Sequence, residues 1–81
     1  MALAIDKDDI GKDLILTHEK EGETDYYLAQ LTLAKAEYDS NNNTENVTTG
    51  YFSTPINGNN FILENGESNF SYEPIDSTGG V

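Results

Sequence analysis

The first pattern along the chain is alternation. Leu14 and Leu16 stand two apart within residues 13–19, and the polar residues 20–23, which include Gly22, end the run. Side chains two apart share one face of an extended strand, so the spacing predicts a β-strand over 13–19 followed by a turn.

Residues 25–39 carry two periods at once. Tyr27, Leu31, Ala34 and Tyr38 recur at helical intervals with Leu28 beside them, and Thr24 or Asp25 can cap the start. Alanine, leucine, glutamine, lysine and glutamate in this stretch add helix propensity. Tyr27, Ala29, Leu31 and Leu33 also alternate as a strand would, and Tyr26, Tyr27 and Thr32 suit one. The stripe and the propensities favour a helix over 25–39, with a long strand as the alternative.

After the polar residues 40–46, whose side chains readily bond their own backbone, the pattern turns to β. Residues 47–53 read as a strand broken near Gly50; Asn57-Gly58 precedes the apolar run 61–63, and Asn65-Gly66 precedes Phe70 and Tyr72. Asn-Gly between apolar runs is a strong hairpin signal, because a type I′ turn needs positive φ at both central residues. A three-stranded antiparallel meander over 47–73 follows. The likeness of the two Asn-Gly stretches is explained by turn chemistry and is no repeat. The fold class expected is α+β, mostly β: a small antiparallel sheet of the meander 47–73 and the strand 13–19, with one helix at 25–39. If that helix is a strand, the fold is all-β.

Length allows one hydrophobic core and not two. The 81 residues are expected to form a single small domain whose polar ends, 1–8 and 74–81, are flexible unless a partner orders them. Hydrophobic residues make up 36% of the chain, so the core is thin, and with no cysteine neither disulfides nor thiolate metal sites can reinforce it. Packing, strand pairing or a partner must supply the stability.

Charge changes the functional picture more than the fold. Fifteen acids against four lysines, with no arginine, give −11, and from residue 40 onward there are five acids and no lysine. Phosphate contacts need lysine or arginine, so direct nucleic-acid binding is not expected. An anionic membrane surface is disfavoured on the same ground. The start of the chain lacks a basic leader and a long apolar run, so a cytoplasmic site of synthesis is expected, with later incorporation into an assembly such as a virion.

Candidate chemistry is sparse. The lone histidine, His18, has Thr17 and Glu19 on the opposite strand face, and no cysteine can act as nucleophile. Carboxylate pairs need a cleft that shifts one pKa, which a thin core rarely encloses. Residues 6–11 resemble the first half of a calcium loop, with acids at Asp6 and Asp8 and a glycine at Gly11, but Ile10 and Thr17 occupy ligand positions. Helix capping by Asp8 or Asp9, or solvated charge, accounts for those acids. Three N-x-[ST] triplets, at Asn42, Asn46 and Asn69, mean little without a secretory signal. No catalytic set, metal or cofactor is expected, and the protein is read as no enzyme.

Surface contact remains. On a strand, the adjacent pairs Tyr26-Tyr27 and Tyr51-Phe52 cannot both point inward, so each can expose an aromatic anchor. The candidate partner-binding residues are Tyr26, Tyr51, Phe52 and Tyr72, with the acids Glu64, Glu67 and Glu73. Two functions compete. One is a structural accessory protein in many copies, such as a virus or phage capsid decoration or connector subunit, whose partner is a capsid or assembly protein. The other is a small acidic inhibitor that mimics nucleic acid and binds a basic, nucleic-acid-binding enzyme.

Overall fold

The computed structural model describes residues 2–75. A 3-10 turn at Lys7–Asp9 precedes five strands: β1 (Asp13–Lys20), β2 (Glu23–Asp39), β3 (Thr44–Thr54), β4 (Asn59–Glu64) and β5 (Phe70–Pro74). They form one antiparallel sheet in the order β4-β3-β2-β1-β5.

The expected helix over 25–39 is a strand. Gly22, at φ 83°, lets the chain reverse within two residues, so that Lys20 pairs with Glu23 and Leu16 with Tyr27. Extended, β2 places Ala29 and Leu31 on the same buried face as Leu14 and Leu16, with Tyr27 packed against them. Both β1 and β3 hydrogen-bond to β2, and a helix there would strand both ladders. Non-local pairing therefore overrides local helix propensity.

The meander is corrected as well. β3 and β4 pair as a hairpin, but β5 pairs with β1, at the opposite edge of the sheet, with Leu16 against Tyr72. Neither Asn-Gly pair forms a type I′ turn: Gly58 and Gly66 have φ of 73° and 91°, whereas Asn57 and Asn65 are not in the positive-φ region. Asn57-Gly58 closes a four-residue loop from Thr54 to Asn59, and Asn65-Gly66 starts the crossover from β4 to β5.

That crossover spans only residues 65–69, so the sheet must curl until its two edges approach. The rings of Phe61 on β4 and Phe70 on β5 meet at a centroid separation of 5.8 Å. The result is a half-closed barrel around Leu14, Leu16, Ala29, Leu31, Phe52 and Leu63. The N-terminal residues cover one end. Leu3, only 2% exposed, joins this core; its N–H donates to the Glu67 carbonyl, and the Gly66 N–H donates to the Leu3 carbonyl. The Ile5 N–H likewise donates to the Asn65 side chain and the Asp6 N–H to the Tyr72 hydroxyl. At the other end the Ile75 N–H donates to the Asp13 carbonyl. Residues 76–81 of the expected C-terminal tail lie outside the described residues.

Beyond the barrel, β2 and β3 continue as a two-stranded arm. Their register slips between Leu33 and Lys35 and slips back between Lys35 and Ala36, which leaves Ala34 and Thr48 without Cα partners in the pairing. Two opposed bulges of this kind bend the ribbon and turn Ala36 and Val47 toward the N-terminal segment.

Candidate interaction surfaces

Alternation fixes what the sheet shows to solvent. With Leu14, Leu16, Tyr27, Ala29, Leu31, Phe52 and Leu63 turned inward, the outer face receives Ile15, Tyr26, Leu28, Tyr51 and Ile62. Ile15 lies directly opposite Leu28, and Tyr51 sits between Thr32 and Ile62 across three strands. Tyr26 is 67% exposed and Ile62 68%. A polar row of Gln30, Ser53 and Asn60 separates the two apolar groups.

The sequence-predicted contact residues divide accordingly. Tyr26 and Tyr51 lie on the outer face, where Glu73 borders Ile15 and Glu64 lies beside Thr49. Glu67 is exposed in the crossover. Phe52 is corrected to core: it is fully buried and stacks obliquely on Tyr72 at 5.8 Å, because β3 turns it inward when Tyr51 faces out. Tyr72 is half-buried and serves the fold. Its hydroxyl donates to Asp9 Oδ2 at 2.7 Å and accepts from the Asp6 N–H at 3.0 Å, and burial pushes the phenol up to about 12. Ile15, Leu28 and Ile62 share this face without having been singled out in the sequence, although the period-two pattern marks them as opposite in parity to the core.

A second surface lies where the arm meets the N-terminal segment. A groove of about 540 Å³ runs between residues 4–7 on one wall and residues 44–47 of β3 on the other, with Asn65 at its end. The Asn65 side chain accepts from the Ile5 N–H at 2.9 Å, and its backbone N–H donates to the Thr48 carbonyl, which pins this end shut. β4 pairs with β3 only from Thr49 to Thr54, so residues 44–47 are paired with β2 alone. Next to the groove, Ile10, Leu33, Ala36 and Val47 line a smaller notch of about 70 Å³.

The acids do not gather on one face. Asp6 and Asp8 sit at the 3-10 turn, Glu19, Glu21 and Glu23 at the β1–β2 turn, Glu37 and Glu45 on the arm, and Glu64, Glu67 and Glu73 near the two sheet edges, all exposed. Asp6, not Asp8 or Asp9, caps the 3-10 turn, accepting from the Asp8 N–H at 2.9 Å. Lys20 contacts Asp25 at 2.7 Å; that hydrogen bond lowers the Asp25 carboxyl and raises the Lys20 ammonium from their ordinary values. Among the described residues no three His, Asp or Glu side chains converge as metal ligands, and no helix is long and apolar enough to cross a membrane. His18 lies flat against Phe70, with centroids 4.1 Å apart, inside the curl of the sheet.

Compared with protein-family models, curated proteins and solved structures, the chain matches none.

Proposed function

We propose that this protein works by protein–protein contact, as an accessory subunit of a larger assembly such as a virus or phage capsid decoration or connector. The observation that carries the reading is the outer sheet face, where Tyr26, Leu28, Tyr51 and Ile62 are displayed on a rigid ladder beside Ile15. Aromatic and aliphatic anchors on a preorganised surface lose little entropy on docking and are the usual source of interface energy. The acidic rim supplied by Glu64 and Glu73 favours a partner with lysine or arginine around its apolar contacts.

The alternative, an acidic mimic of nucleic acid, draws on the charge of −11 alone. Its acids lie on both turns, the arm and both edges, which is not the single phosphate-like face that a mimic would present.

The size of the species that holds the protein in a native extract of its source tests the assembly reading. The expected result is sedimentation with particles far larger than its own 8.9 kDa. Recovery as a free protein of that mass would refute it.

A further inference from the structure

Resting on the reading that the protein acts by protein contact, we infer that the one-sided edge of β3 at residues 44–47 binds an extended, positively charged segment of a partner protein by strand addition. Three observations converge on it. The edge is paired with β2 only, so its outward N–H and C=O groups are available to a further strand. A groove of about 540 Å³ runs alongside it, within the range of ligand-binding clefts, and its walls are each four residues long, enough for ~13 Å of extended chain. The notch lined by Ile10, Leu33, Ala36 and Val47, together with Lys7 and Glu45, opens beside the same strand and has room for a small aliphatic side chain. Main-chain bonds that give affinity, with a pocket that reads alternate side chains, are the parts strand addition requires.

Charge selects the occupant. Asp6 and Glu45 face the groove with Lys7 as the one cation in its lining, and the chain as a whole carries −11. A second copy docking edge to edge would bring two such surfaces together, Glu45 near its own counterpart, and like charges in register oppose that pairing. Glu45 and Val47 share one face of β3, so a segment with a small aliphatic residue and, two positions along on the same face, a lysine or arginine places the first into the notch and the second against Glu45, near Asp6.

The test uses the purified full chain, labelled with nitrogen-15, and a synthetic capped heptapeptide in which valine and lysine alternate along one face and threonine fills the other. Amide shift changes are expected to concentrate at residues 4–7 and 44–48. Methylating alternate backbone nitrogens of the peptide, which removes its donors and keeps its charge, should weaken binding about tenfold or more. Glu45→Lys should weaken it about threefold or more, whereas Ile56→Asp in the β3–β4 turn should leave it unchanged. Equal binding of the methylated peptide, or shifts spread over all the acidic turns, would overturn the inference. The assay contains no assembly, so its result stands apart from where the protein sediments in an extract.

Discussion

Phe61 and Phe70 belong to strands at opposite edges of the sheet, and their rings touch at 5.8 Å. Tyr27 extends the contact on one side, 5.1 Å from Phe61, and His18 on the other, 4.1 Å from Phe70. Four strands are joined in this way where no backbone ladder closes the gap. Phe61→Ala and Phe70→Ala are each expected to cost about 2–3 kcal/mol, with a coupling of ~0.5–1.5 kcal/mol between them. A double-mutant cycle in urea measures the coupling; additive losses would mean that the two edges do not support each other.

Gly50 is required by the core and not by its backbone angles. A β-carbon there would lie 2.7 Å from Leu31 Cδ1 and 3.2 Å from both Ile5 Cδ1 and Phe52 Cε1. Leu31 and Phe52 are fully buried and have no room to retreat. Gly50→Ala should therefore destabilise by about 1–3 kcal/mol, read from the urea midpoint, despite alanine's better strand entropy. A neutral or stabilised variant would show that Leu31, Ile5 and Phe52 can give way to a methyl group at this position.

Thr54 is completely buried, and its hydroxyl has no partner among the described residues. An unpaired buried hydroxyl costs free energy that a methyl group of the same size does not. Thr54→Val is expected to raise stability by about 0.5–1.5 kcal/mol, and Thr54→Ser, which keeps the hydroxyl and removes the methyl, to lower it. Loss of stability in the valine variant would show that the hydroxyl is bonded.

Tyr72 ties β5 to the 3-10 turn through Asp9 and the Asp6 backbone. Burial, the largest influence, raises its phenol from 10 to about 12 in the folded chain. The unfolded chain therefore releases this proton first as pH rises. The contribution is complete below pH 10 and is lost as pH climbs through about 12. Tyr72→Phe should cost about 1–2 kcal/mol at neutral pH. The difference between native and variant should shrink across that alkaline window, when both are unfolded by urea at stepped pH. A difference that stays constant would place the hydroxyl in water.

Much of the β character was legible, and the limits have physical causes. Leu14 and Leu16 marked β1 because only one face of it is buried. β2 misled because Tyr27, Leu31, Ala34 and Tyr38 satisfy a helical period by coincidence of composition, while the partners that hold β2 extended are β1 and β3, which no local window contains. The Asn-Gly pairs revealed two reversals but not their geometry: in each, only the glycine takes positive φ. The return of β5 to β1 depends on the curl of the whole sheet and on Leu3, 63 residues before Gly66, accepting that glycine's N–H. Among the candidate contact residues, the outward placement of Tyr26 and Tyr51 follows from strand parity, and the same parity buries Phe52. The groove beside residues 44–47 has no sequence signal, because the mismatch in length between β3 and β4 that creates it is a property of the pairing.

The outer-face account is tested most directly by paired substitutions at two exposed isoleucines. Ile62, 68% exposed, lies on the outer face, and Ile56, 76% exposed, lies in the β3–β4 turn. With folding checked by circular dichroism, the fraction of protein that sediments with large particles is measured in extracts of its source. Native protein and Ile56→Asp should sediment alike, and Ile62→Asp should fall about tenfold or more. Ile62→Asp sedimenting as the native protein does would contradict the account.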